Sequence, residues 1–503
     1  MAIGATLGLS AGPGETVTAT LSDGTATVSA PLVFGDLRIE SPVRLAIPSA
    51  RLARAPDGSI TLDTRLLPKG LTATLALKSG QRMDVGASAG EIDLSLHGTN
   101  PIAGQLQLRG GSLLLPGQDV LAERIEATIP FPLRSGGEPA RLSATVSTPS
   151  GRLAPLVVDG RVTVENDAFL LNGSIGSPDH GVQIPLQARY LGTEPRGSLT
   201  LGPATLEFRP DALQPKALGS ALAIVTRAEG ALDLSGVLAF AAKAPLDGKA
   251  SVAFRDLTVE TDEGVIEKLS GAIRLDGLFP PRTAGEQTLS ARRVVAGVPL
   301  EEPSLRFRLE PAAAGTILVV DHAEGKIAEG TVHVDGARFD PSAARNAIAI
   351  GIDGLSLDRL LRDYAMEGLS GTGTLSGVIP MAFSAAGVSI ESGAMQAKGG
   401  GVLKVAWGSA RDTLMRQGEQ VALMVQALED FHYSSLRITI NRPSDGSLSL
   451  MVAMEGHNPA VKDGYPIRFN IALSGELEKI LAAIREGGRL GTDLFRGSLG
   501  GAP

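Results

Sequence analysis

The sequence contains no cysteine. Disulfides, iron–sulfur clusters and thiolate zinc sites are therefore excluded. Long hydrophobic runs are missing too. No stretch approaches the roughly 18 apolar residues that a membrane-spanning helix needs. The opening tract, Met1 to Gly14, has neither the basic start nor the long apolar core of a signal peptide. Either the protein is cytosolic, or this chain lacks the N-terminal part of a longer one; the second is the expectation carried forward. Aromatics are scarce, with one Trp, four Tyr and 13 Phe in 503 residues. A membrane β-barrel expects aromatic girdles and an alternating terminal strand, whereas this chain closes on a Gly-rich tract, Arg489 to Pro503. Charge is sparse as well: 20% of residues are charged and the net charge is −8. No basic stripe interleaves with aromatics, so nothing favours nucleic acid.

What is abundant is Gly and Pro, 62 and 31 residues, spread along the whole chain. Such even punctuation marks many short strands with turns between them. A mean hydropathy of +0.14 is too apolar for a disordered chain. Period-2 alternation recurs from end to end. Leu71, Ala73, Leu75 and Leu77 alternate with Thr72, Thr74, Ala76 and Lys78. Ile92, Leu94 and Leu96 alternate with Asp93, Ser95 and His97, and Leu305, Phe307 and Leu309 with Arg306, Arg308 and Glu310. Each run gives a strand one apolar and one polar face. Helical spacing is rare. Short helices are expected after Pro215 (Leu218, Leu222 and Val225, stopped by Gly230), after the N-cap Ser356 (Leu357, Leu360, Leu361, Tyr364), around Leu414, Val421, Val425 and Leu428 with a break at Gly418, and at Leu477, Ile480, Leu481 and Ile484. The fold class that follows is all-β dominated, one long one-sided β-sheet with a few short helices. The expected segments are 1–210, N-terminal strands; 211–405, a helix plus further strands; 406–488, a helix-strand-helix segment; and 489–503, a Gly-rich tail.

Chemistry-bearing patterns are weak. G-x-S-x-G occurs at Gly8-Leu9-Ser10-Ala11-Gly12 and at Gly86-Ala87-Ser88-Ala89-Gly90. A nucleophile elbow needs a helix after the serine, and both sites run on into strand-like sequence. The histidines, His97, His180, His322, His333, His432 and His457, form no ligand-spaced pair. His97 and His333 fall on the polar phase of strands, and His432 sits at a helix-to-strand junction. Asp321-His322 resembles an acid–base pair, but adjacent strand residues point to opposite faces. Gly371, Gly373 and Gly377 miss dinucleotide-loop spacing. Asn172-Gly173-Ser174 is a sequon more simply read as a turn. The expectation is no catalytic, cofactor or metal site, and no enzyme.

The last third carries a recognisable pattern. It comprises Gly354-Leu355-Ser356-Leu357-Asp358-Arg359-Leu360-Leu361, then Glu367 to Gly377, Ala427-Leu428-Glu429-Asp430-Phe431-His432-Tyr433, and Asp445 to Leu450. Most specific are Gly456-His457-Asn458-Pro459 and Gly464-Tyr465-Pro466-Ile467-Arg468-Phe469-Asn470. These motifs resemble the YdbH-like branch of the AsmA/TamB-related intermembrane phospholipid transport proteins, closely over about 215 to 486 and only in architecture over 1 to 210. The resemblance implies a periplasmic, inner-membrane-associated protein of a Gram-negative bacterium. It implies an elongated curved β-sheet forming a β-groove, with segments 1–210 and 211–405 as its β-groove segments, and phospholipid carried from inner to outer membrane along that apolar groove, in support of outer-membrane lipid homeostasis. Implied partners are phospholipid acyl chains, a small outer-membrane lipoprotein at the C-terminal end, and the inner membrane through an N-terminal anchor that this chain does not contain.

A conduit of this kind needs a continuous apolar stripe. Each CH₂ removed from water contributes about 0.8 kcal/mol, so a 16-carbon chain gains on the order of 13 kcal/mol. The candidate groove lining is Leu448, Leu450, Val452 and Met454 with Ile467, Phe469, Ile471 and Leu473, which share one alternation phase. The alternative is a passive surface or adhesive β-protein whose apolar face is buried in a closed core.

Overall fold

The computed structural model describes residues 2–10, 16–28, 32–34, 37–39, 43–69, 71–76, 82–88, 90–99, 102–115, 119–191, 196–241, 244–296, 298–313, 315–363 and 368–475. Strand accounts for 70% of it and helix for 9%, which makes the chain all-β dominated as the alternation indicates. The chain divides into two compact units, Met1–Asp262 with Arg274–Phe279, and Glu263–Ile273 with Pro280–Pro503.

The first unit is an antiparallel sheet in which strands pair mostly with their sequence neighbours. From Ala103–Leu115 onward each strand pairs with the next, through Val120–Phe131, Ala140–Ser147, Leu156–Glu165, Ala168–Ser177, Val182–Leu191, Arg196–Phe208, Arg227–Ala241 and Ala244–Thr261. On the other side, Ala103–Leu115 pairs with Glu91–Gly98, which pairs with Ile60–Lys69. Asn172 and Gly173 lie inside the Ala168–Ser177 strand, not at a turn. The reason is steric: a Cβ on Gly173 would collide with the carbonyl oxygen of Asp159 on the neighbouring strand. Glycine here serves close strand approach rather than a positive φ.

The second unit holds another antiparallel run. Arg345–Ser356 pairs with Thr374–Ser384, then Gly387–Ala397, Phe431–Arg442, Leu448–His457 and Ile467–Gly475 follow in order. Helices α1 (Leu357–Asp363), α2 (Arg411–Met415) and α3 (Glu419–Leu428) interrupt it. The Ser356 hydroxyl accepts from the Arg359 N–H at 3.2 Å, the cap expected of it. Gly418 separates α2 from α3 at φ 130°, a conformation that favours glycine. The segment after Pro215 forms two short 3₁₀ turns, Pro215–Leu218 and Ser220–Leu222, rather than one helix. Gly219, at φ 143°, divides them, and Gly230 already belongs to a strand. Tyr364 and the expected helix at 477–484 lie outside the described residues.

Candidate lipid-facing apolar surface

Antiparallel register decides what each face carries, because directly opposed residues share a face. In the first unit one register reads Leu66–Ile92–Leu108–Ala127–Leu142–Gly160–Gly173–Leu186–Leu201–Gly236–Ala250. Every position across these eleven strands is apolar or glycine. At about 4.8 Å per strand, the row runs roughly 50 Å along the sheet. The adjacent register points to the other face. It reads Arg65–Asp93–Gln107–Thr128–Arg141–Arg161–Asn172–Gln187–Thr200–Val237–Lys249, polar everywhere but at Val237.

The apolar row is not sealed. Gly160 and Leu186 are buried, while Leu66, Ile92, Leu108, Leu142 and Leu201 are each half-buried. A second apolar register, Val162–Leu171–Ala188–Leu199–Leu238–Gly248, lies beside it on the same face. At the rim, Tyr190 and Phe240 stack with ring centroids 6.4 Å apart, and both are exposed. Single leucines on a surface are ordinary, but an unbroken apolar register across many strands indicates an interacting surface.

The second unit repeats the pattern. Ile471–Val452–Ile438–Met395–Gly377–Ile352 is an apolar register across six strands, while Asn470–Ala453–Arg437–Gln396–Ser376 lies on the opposite face. The eight residues singled out from the sequence are brought together as one face. Leu450 opposes Leu473, Val452 opposes Ile471, and Met454 opposes Phe469. Arg468, in the other phase, opposes Glu455 and pairs with it at 2.5 Å on the exposed side.

The face is not uniform along its strands. Met454 is 1% exposed and belongs to a sealed cluster with Phe431, Leu375, Leu436, Leu428, Leu357 and Leu361. Phe469 packs on that cluster edge-to-face with Phe431, ring centroids 5.1 Å apart. Leu450 and Leu473, further along the same strands, are half-buried and lie outside the cluster.

Residues that hold the sealed end went unrecognised in the sequence. Asn458, 3% exposed, donates through Nδ2 to the Gln426 carbonyl at 2.9 Å and to the Ala427 carbonyl at 3.3 Å, and so caps the C-terminal end of α3. The Trp407 indole N–H donates to the Val425 carbonyl at 3.0 Å. The Tyr433 hydroxyl donates to the Thr372 carbonyl at 2.6 Å, and a Cβ on Gly373 or Gly401 would collide with that hydroxyl. The signal available was the motif spelling itself: Asn458 lies in Gly456-His457-Asn458-Pro459, and Gly373 in the Glu367 to Gly377 tract.

The remaining polar groups form surface pairs. His322 Nδ1 lies 2.5 Å from Asp335 across the strand, while Asp321 faces Arg308 at 2.6 Å, so Asp321 and His322 do not act together. Ser10 and Ser88 end strands, and Glu91–Gly98 follows Ser88 as a strand. Among the described residues, no cluster of three or more His, Asp or Glu could hold a metal ion. Among them also, no helix is long and apolar enough to cross a membrane.

A one-faced β-sheet with an unsealed apolar register defines a class of proteins that present an extended hydrophobic surface along strands. The chain matches the family model described as YdbH-like, intermembrane phospholipid transport protein YdbH, over residues 16–492, and it belongs to that family. Comparison with curated proteins and with solved structures returns no match. Membership of the family implies transport of phospholipid between membranes.

Proposed function

We propose that the chain carries phospholipid from the inner to the outer membrane through an apolar β-groove spanning part of the periplasm, in support of outer-membrane lipid homeostasis. Acyl chains lie against the apolar registers, and headgroups stay with water. The observation that carries this reading is the pair of adjacent registers in the first unit, one apolar or glycine throughout and half-buried save at Gly160 and Leu186, the other almost wholly polar. A closed sandwich core would bury such a row; a lipid path needs it accessible. No fixed polar anchor lies along the row, so a bound chain can slide. In the second unit the lining on this reading is Leu448, Leu450, Val452, Met454, Ile467, Phe469, Ile471 and Leu473.

Two attachments complete the proposal. One is to the inner membrane, and the other is to a small outer-membrane lipoprotein that meets the C-terminal end. The segments 1–210, 211–405 and 406–488 are the proposed functional divisions.

Native mass spectrometry of the chain purified with Gram-negative lipid extract tests the reading. It predicts phospholipid adducts that survive gentle activation. A bare protein mass throughout would instead favour the passive adhesive protein with a closed core.

A further inference from the structure

The second unit's apolar face changes character along its strands, and the helices are where it changes. Toward one end it is sealed: Met454, Phe431 and Leu375 are among the largest fully buried side chains among the described residues. Leu357 and Leu361 of α1 and Leu428 at the end of α3 belong to the sealing cluster, with Met424 and Trp407 packed against it. Beyond the cluster Leu450, Leu473 and Ile440 stay half-buried, with Leu450 opposing both Ile440 and Leu473, while Leu448 at the far end of its strand is buried again.

The seal is held by few polar contacts. Asn458 bonds the last carbonyls of α3, Trp407 bonds the Val425 carbonyl, and the Arg411–Glu429 pair, 2.5 Å apart, ties α2 to the end of α3. Gly418, at φ 130°, is the joint between α2 and α3. Asn458 is itself buried, with its Oδ1 accepting from the Ala460 N–H at 2.9 Å.

We propose that α1 and α3, with α2 tied behind α3, form an internal plug on the acyl path: in the resting chain lipid reaches Ile440 and the Leu450–Leu473 pair, which lie outside the sealed cluster, and stops short of the Met454–Phe469 pair, and release of the Asn458–α3 latch opens the remainder. This rests on the lipid-transport reading above and assigns that path an end and a gate. A plug of this kind keeps the face from being an open hydrophobic surface when no receiver is present, and the opened form is a minor population.

The test uses the full chain and a phosphatidylethanolamine with a diazirine in one acyl chain, with adduct sites read by peptide mass spectrometry. The expected result is adducts on Ile440, Leu450 and Leu473, with Met454 and Phe469 labelled at most about one tenth as often, as a minor opened population dictates. Asn458→Ala, and separately Trp407→Phe, should bring Met454 and Phe469 to parity while circular dichroism keeps the strand signal. Trp407→Phe keeps the aromatic packing, so it stands as the test if Asn458→Ala fails to fold. Equal labelling of both pairs in the unaltered chain overturns the plug, as does a Trp407→Phe pattern identical to the unaltered one. Absence of adducts from every one of these residues overturns the lipid reading of this face and the plug with it.

Discussion

Individual glycines and histidines carry different duties here. Gly173 sits in the apolar register where strands approach too closely for a side chain. Gly173→Val should cost about 1–3 kcal/mol through overpacking, and chemical denaturation of the variant checks this; Ser174, one residue on, faces the other way and its Ala variant should cost far less. His322, paired with Asp335 across the strand, should carry pH dependence. Its pKa is raised first by the hydrogen bond to Asp335, against partial burial and with help from Glu324, while Asp335 is held low chiefly by His322. A raised folded pKa means the stabilisation is complete below the ordinary histidine value of about 6.5 and is lost as pH rises through the higher folded value. The depressed Asp335 sets the other limit, its contribution being lost as pH falls through its folded pKa, below 3.8. Thermal midpoints measured from pH 5 to 9 should decline on the alkaline side, weakly and less at high salt because the pair is exposed. His322→Gln should remove that step.

Strands were legible in the sequence because alternation is a local property. Ile467, Phe469, Ile471 and Leu473 announce their face without any knowledge of neighbours, and the structure gives them that common face. The helix around Ser356 was equally legible from its cap, and the break at Gly418 from glycine itself. What alternation cannot say is which stretch of an apolar strand meets protein and which does not. Met454 and Leu450 have the same phase and opposite surroundings, because Phe431 and Leu428 arrive from elsewhere in the chain. Asn172-Gly173 misled for the same reason, since a glycine needed by a neighbouring strand has the local spelling of a turn. The difference is measurable at the level of the element. Phe431→Ala should cost about 3–5 kcal/mol as a core cavity, whereas Leu473→Ala, at a half-buried site, should cost markedly less. Asn458→Ala should cost roughly 1–3 kcal/mol by leaving the last carbonyls of α3 without donors. A charge at Leu473, outside the sealed cluster, should impair lipid passage more than it unfolds the chain, while one at Phe469, packed on that cluster against Phe431, should unfold it. Arg468→Asp, on the opposite face, should impair neither; equal loss of transport there would contradict the face assignment.

At the scale of the whole molecule the account makes one central claim, that acyl chains lie on the apolar registers and not on the polar face behind them. Composition limited the choices, and the C-terminal motifs pointed to the family to which the chain belongs. Neither could reveal that an apolar register crosses eleven strands of the first unit without interruption, because that depends on the register between strands, which alternation within each strand does not give. Leu142 and Arg141 are consecutive residues on opposite faces of one strand, in the apolar and polar registers respectively. The most direct measurement is the phospholipid retained per chain after purification of Leu142→Glu and Arg141→Glu beside the unaltered protein. The account predicts a strong loss in Leu142→Glu and none in Arg141→Glu, with both folded. Equal retention in all three, or loss only in Arg141→Glu, would contradict it.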